Sequence, residues 1–198
     1  VDRVIKGEGE QAILDIVNKQ TGDRSQYIQD LDALPMPAYH LLRMEKYFEL
    51  ASGHNGYKQK PFMPMLTSRG CPAKCTFCAI ANHWGHIPRY RSAENVLAEI
   101  DFLVETYGIK EIHFEDDNLT GDRERALEIF GGLIERNYGL TWTVPSGMAV
   151  NNLDDELLEK MAASGCYSVS LAIENGNQEI CTKIMKKPIN TSELLTKA

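Results

Sequence analysis

The feature that most constrains how this chain folds is a strand–helix alternation with a period of about 30 residues. Short runs rich in β-formers, Phe62 to Ser68, Ile109 to Phe114, Leu140 to Val144 and Tyr167 to Ile173, are each followed by apolar residues at helical spacing. Ser92 stands where a helix N-cap belongs, Val96, Leu97, Ile100, Leu103, Val104 and Tyr107 make one apolar stripe, and Gly108 supplies the stop. Ala126, Ile129, Phe130, Leu133 and Ile134 make a second stripe, and a third helix is entered at Asp154. Gly176 to Lys186 and Thr191-Ser192-Glu193-Leu194 read as the starts of further helices. A parallel crossover needs a connection of this length, so the expected class is α/β with a parallel sheet. Ligands of such sheets sit at the carboxyl ends of the strands, which directs attention to residues 69–91, 115–121, 145–151 and 174–177.

The first third of the chain reads differently. Residues 1–22 hold an alternating run, the turn Gly7-Glu8-Gly9-Glu10 and a helical pattern (Ala12, Ile13, Ile16, Val17) stopped by Gly22, as at the end of an upstream domain. Residues 23–60 lose periodicity and read as a linker, extended at Leu34-Pro35-Met36-Pro37, with a short helix over Leu41 to Leu50 and a loop over Ser52 to Gly56. The regular region is 61–198. With no initiator Met and only four βα units in view, the chain is expected to be a fragment of a longer protein. A net charge of −7 disfavours a non-specific nucleic-acid binder. No apolar run reaches the roughly 18 residues of a membrane span.

Five cysteines are present, and three fall within eight positions: Arg69-Gly70-Cys71-Pro72-Ala73-Lys74-Cys75-Thr76-Phe77-Cys78. That clustering fits metal ligation in a reducing, cytoplasmic setting better than a disulfide framework. Two readings of Cys-x-x-x-Cys-x-x-Cys stand side by side. An iron–sulfur cluster held by three thiolates keeps one iron open for another ligand, with Phe77 placed to shield it from water. A structural zinc site would take Cys71, Cys75, Cys78 and either His83 or His86, in a non-catalytic binding module. Cys166 and Cys181 read as buried bystanders. Arg89 and Arg91 read as a solvated basic turn, or as partners of a small anion.

The triplet at the end of the first strand of a βα repeat resembles the radical S-adenosylmethionine superfamily. Glu115-Asp116-Asp117-Asn118 stands where that family ends its second strand, and Ser168 to Gly176 is similar to its fourth, which commonly ends in Glu-Ser-Gly where this chain has Glu174-Asn175-Gly176. Val1 to Glu10 and Asp30 to Pro37 resemble the end of the cobalamin-binding domain and the linker of one large branch. The resemblance implies a partial (β/α)6 barrel, about four of whose six units are present, preceded by the tail of a Rossmann-like cobalamin-binding domain. It also implies that Cys71, Cys75 and Cys78 hold a [4Fe-4S] cluster whose open iron chelates S-adenosylmethionine for reductive cleavage to a deoxyadenosyl radical. Asp116, Asp117 or Asn118 would meet the ammonium, and Ser146 or Glu174 the ribose. Cobalamin would be bound by the full-length protein, since no Asp-x-His-x-x-Gly motif occurs in this stretch. The implied partners are a small-molecule substrate and an electron donor such as flavodoxin or ferredoxin. The implied reaction is that of a methyltransferase or a cyclase. A radical methylthiotransferase acting on RNA is the alternative within the family, and the acidic charge and single cysteine cluster speak against it.

Overall fold

The structure is a computed structural model that describes residues 4–5, 7–19, 27–50 and 56–192. In chain order its elements are helix α1 (Glu10–Val17), a 3-10 turn (Tyr39–Leu41), helix α2 (Met44–Leu50), strands β1 (Phe62–Met65) and β2 (Ser68–Arg69), the short helix α3 (Ile80–His83), strand β3 (Arg89–Tyr90), helix α4 (Ala93–Tyr107), strand β4 (Glu111–Phe114), helix α5 (Arg123–Arg136), strand β5 (Thr141–Met148), a 3-10 turn (Val150–Asn152), helix α6 (Asp155–Ala163), strand β6 (Cys166–Leu171) and a π-helical turn (Ile180–Ile184).

The four longer strands form one parallel sheet in the order β1-β4-β5-β6, with α4, α5 and α6 each filling one connection. Spatial order follows chain order, so every unit adds to the same edge. The helices start where side chains satisfy their first amides: Ser92 Oγ accepts from Asn95 N at 3.1 Å, Asp122 from Arg125 N at 3.1 Å and Asp154 from Leu157 N at 2.9 Å. Gly108 ends α4 in the left-handed region, as its place in the sequence predicts. Where α4 and α5 cross, a Cβ on Gly132 would lie 2.3 Å from Leu97 Cδ1, so glycine lets the helices approach. The core between sheet and helices centres on fully buried Trp142, which stacks on Phe130 at 4.9 Å, meets Phe114 edge-on at 5.4 Å and donates its indole N–H to Ser164 Oγ.

At the opposite end from the strand carboxyl termini, buried Glu111 ties the layers together. Its carboxylate accepts from Lys58 N (2.9 Å), Gln59 N (2.6 Å), Thr141 Oγ1 (2.9 Å) and Tyr167 Oη (2.8 Å), and His113 Nε2 lies 2.7 Å from it. One side chain thus ties Lys58 and Gln59 to β4, β5 and β6.

The sequence-based expectations are refined in three places. The first strand stops at Met65 rather than Ser68, because Thr67 turns to bond Asp116 while Ser68–Arg69 pair antiparallel with Arg89–Tyr90. The third strand runs past Pro145 to Met148 through a register shift against β6. The helix expected over Gly176 to Lys186 is present but shorter, over residues 178–184 with Ile180–Ile184 π-helical, and is entered through Asn177 Oδ1, which accepts from Glu179 N and Ile180 N. The strand expected over residues 1–5, the helix stop at Gly22, the loop from Ser52 and the helix continuing to Leu194 lie wholly or partly outside the described residues. Among the described residues no helix is long and apolar enough to cross a membrane.

Candidate active site at the cysteine loop

The cysteines lie in residues 70–88, the connection between β2 and β3. Gly70 opens it at φ +91°, where a Cβ would sit 2.9 Å from Ile87 O, so a side chain is excluded by both conformation and space. Cys71 N reaches Gly85 O at 3.4 Å, and Cys78 N donates to Cys75 O at 3.2 Å. The middle of the loop is braced by the segment after β6: Thr76 N donates to Met185 O at 2.9 Å and Thr76 Oγ1 to Ile184 O at 3.1 Å.

These constraints turn all three cysteines toward one cavity of about 350 Å³ at the carboxyl ends of the strands. Phe77, Asp117, Asn118, Ser146 and Glu174 share its wall with Cys71, Cys75 and Cys78. Asp117 accepts from Gly70 N at 3.3 Å, joining the end of β4 to the cysteine loop. Asn118 is buried and its Oδ1 lies 3.4 Å from Asn152 Nδ2. Ser146 reaches the cavity because β5 bends there, with Gly147 at φ +96° against Ser170 O. Glu174 sits in the left-handed region at φ +67°, a strained conformation for this residue, and its Oε1 accepts from Lys187 Nζ at 2.7 Å. Phe77 is 53% exposed, so it forms part of the rim rather than a sealed cap.

Asp116 is the correction. It is fully buried and faces away from the cavity, and its Oδ1 accepts from Thr67 N (3.1 Å), Thr67 Oγ1 (2.8 Å) and Ser68 Oγ (2.5 Å). Consecutive residues leaving a strand point to opposite sides, so only one of the Asp116-Asp117 pair can face a ligand. Burial pushes the Asp116 carboxyl above the usual range, opposed by the Ser68 and Thr67 hydrogen bonds and the Arg125 charge. Arg125 in turn donates to Thr67 O at 2.8 Å and packs over the Tyr90 ring. Asp116 therefore anchors Thr67 and Ser68 and is not among the residues that line the cavity.

Lys187 went unread in the sequence, because the segment after β6 has no periodicity to place it; a cation following a Glu-x-Gly strand end was the available signal. It lies on the cavity wall. Burial pushes the Cys71 and Cys75 thiols above their ordinary value, and Lys187 opposes that rise at both. A bound metal centre would complete the stabilisation of the thiolates. Burial pushes Cys166 up to about 11, and Cys181 is buried with its thiol 3.1 Å from Asn175 O; neither lines the cavity.

Three thiols from one loop are a donor set that a cluster can use. A zinc ion draws all its thiolates to about 2.3 Å from one point, whereas in a cubane each thiolate meets a different iron. His83 packs against Trp84, and His86 Nδ1 lies 3.4 Å from Cys71 O. Three thiols on one cavity, with polar groups opposite, match a group that takes three thiolates and keeps a position for a ligand.

Comparison with known proteins agrees with this geometry. The chain is 44% identical over 170 residues to the cytidylyl-2-hydroxyethylphosphonate methyltransferase of Streptomyces wedmorensis, an alignment covering 84% of the chain and 32% of that relative, so the chain spans about a third of its length. Among solved structures, the radical S-adenosylmethionine methyltransferase TsrM from Kitasatospora setae superposes with a TM-score of 0.72 at 15% identity, over 98% of this chain and 42% of that one. The cobalamin-dependent S-adenosylmethionine radical enzyme OxsB, with aqua-cobalamin and S-adenosylmethionine bound, gives 0.75 at 17% identity, over 96% and 30%. The family model described as the Radical SAM superfamily matches residues 65–197, the span that holds the three cysteines, strands β4, β5 and β6 of the parallel sheet and the cavity, and the chain belongs to that superfamily.

Proposed function

We propose that this chain is the catalytic core of a cobalamin-dependent radical S-adenosylmethionine methyltransferase. One observation carries the reading: cysteines from one loop and polar residues from the ends of β4, β5 and β6 line a single cavity. When bound, a [4Fe-4S] cluster with S-adenosylmethionine supplies one electron to the sulfonium and yields methionine and a deoxyadenosyl radical. Cys71, Cys75 and Cys78 would hold that cluster. Asp117 offers an acceptor to the ammonium, and the Gly70 amide it binds orients its carboxylate. Ser146 and Glu174 lie on the wall available to the ribose hydroxyls, with Glu174 held in place by Lys187. Asn118 and Phe77 narrow the cavity.

In this reading the four βα units are the first of six in a partial barrel. Residues 1–22 are the end of an upstream cobalamin-binding domain, 23–60 the linker and 61–198 the incomplete core. Cobalamin is bound by the longer protein. The 44% identity to a methyltransferase favours methyl transfer over ring formation. The substrate is a small molecule, and a one-electron donor of the flavodoxin or ferredoxin type supplies reducing equivalents.

Anaerobic reconstitution of the chain with iron and sulfide, followed by dithionite and S-adenosylmethionine, tests the reading. The expected products are methionine and 5′-deoxyadenosine in equal amounts. Asp117→Asn is expected to weaken S-adenosylmethionine binding about tenfold, the loss of one charge-assisted hydrogen bond, with iron content unchanged. One tightly held zinc and no iron uptake would overturn the proposal.

A further inference from the structure

We propose that Glu8, from the segment upstream of the core, is the positioning residue for the cysteine loop: its buried carboxylate joins two arginines that face each other at the base of that loop. The functional meaning of this proposal rests on the cluster reading above, but its geometry does not.

The loop over 70–88 is the end of a two-stranded ribbon, and in that ribbon Arg69 and Arg89 are direct cross-strand partners. Like charges placed opposite one another on paired strands repel, and a ribbon with two residues in each strand has little else to hold it closed. Glu8 is the carboxylate that reaches both arginines, while Glu10 pairs with Arg69 alone, at 2.6 Å. Glu8 Oε1 lies 2.5 Å from Arg89 Nη1 and its Oε2 3.3 Å from Arg69 Nη1, while Ile28 N donates to Oε2 at 2.7 Å. The Glu8 side chain has no exposed surface and that of Arg89 is 4% exposed, so neither charge has water to fall back on. Arg89 is accordingly buried and paired, and the solvated basic turn expected from the sequence is not formed there.

Both arginines pass the constraint on to the loop. Arg89 Nη2 donates to Trp84 O at 2.9 Å, and its guanidinium packs over the Tyr27 ring at 5.0 Å. Arg69 stacks on the Trp84 ring at 4.7 Å and stands two residues before Cys71. Gly85, whose carbonyl receives the Cys71 amide, sits at φ +80° where a Cβ would be 3.2 Å from the Tyr27 ring. The upstream segment therefore touches the loop at its entrance, at its exit and beneath its first cysteine. A movement of that segment would be felt where the thiols are held.

The test uses the full 198-residue chain in two states. In the metal-free state the alkylation rate of each cysteine is measured, which reports local opening of the loop without reference to any cluster. Glu8→Gln keeps the shape and removes the charge; it is expected to speed alkylation of Cys71 and Cys75 on the order of tenfold and to leave Cys166 unchanged. Removing one of the opposed cations as well, in Glu8→Gln with Arg69→Gln, is expected to restore most of the protection. Asp101→Asn, which breaks an equally short ion pair with Arg136 between α4 and α5, should change neither rate. In the reconstituted state, Glu8→Gln should release iron to a chelator faster by a similar factor.

Unchanged alkylation in Glu8→Gln, or no recovery in the double variant, would overturn the proposal. If Glu8→Gln lacks native far-UV circular dichroism, Glu8→Asp, which keeps the charge and shortens the reach, is measured in its place with the same expected direction. Should no variant, wild type included, take up iron, the cluster reading fails while the alkylation rates still decide the role of Glu8.

Discussion

Replacing Cys75 by alanine is expected to abolish cluster assembly: the broad visible absorbance disappears, and iron falls from about four per chain to a trace after anaerobic reconstitution. In the proposed reading three thiolates are the whole protein ligand set, and two would not hold a cubane whose fourth position must remain open. The variant should still fold. Cys75 is only partly buried, and the loop around it is held by Thr76 and by the ribbon at its base rather than by the thiol. Far-UV circular dichroism of the metal-free variant should therefore match that of the wild type. Cys166→Ala should retain both iron and colour, because its sulfur lies off the cavity. Iron retained by Cys75→Ala, or lost by Cys166→Ala, would reassign the ligands.

Glu111→Ala is expected to destabilise the fold by about 3–5 kcal/mol, the usual cost of removing one partner from a buried charged network. Against a total stability of roughly 5–15 kcal/mol, that is a large fraction of the margin. The reason is the number of donors left behind: the amides of Lys58 and Gln59, the hydroxyls of Thr141 and Tyr167, and the His113 ring all point at a carboxylate that has gone. Urea denaturation of the metal-free chain measures it. The same residue sets a pH dependence. Burial alone would raise the Glu111 pKa, but the hydrogen bonds from His113, Tyr167, Gln59 and Thr141 outweigh it and hold the carboxyl below its ordinary value of 4.5. A depressed folded-state pKa contributes stability that is complete above the unfolded value and is lost as pH falls through the folded one. The wild type should lose stability progressively below about pH 4.5, and Glu111→Gln, which has no such proton to take up, should show a flatter acid limb. Equal slopes in the two proteins would place the acid sensitivity elsewhere.

Much of this molecule is legible in the sequence because its signals are local. The spacing of Val96, Ile100 and Leu103 needs only a helix to make a buried stripe, Ser92 and Gly108 mark that helix's ends by their own conformational preferences, and the repeat length of the βα units allows few arrangements other than a parallel sheet. The cysteine triplet is legible for the same reason: three cysteines in eight positions are together whatever the rest of the chain does.

What the sequence could not determine is which way side chains face once the chain leaves a strand, and which distant charges meet. Asp116 and Asp117 are indistinguishable as letters, and the pleat at the end of β4 sends one into the core against Thr67 and Ser68 and the other to the cavity. Lys187 reaches the site because the π-turn brings its segment back over the loop. Arg89 reads as a surface cation until Glu8, far upstream, is seen to cancel it. The local spacings thus determined the kind of fold and brought the three cysteines into one loop, whereas tertiary packing alone decided which carboxylates line the cavity and which lie at the base of that loop, since burying a charge requires a partner whose position no local pattern specifies.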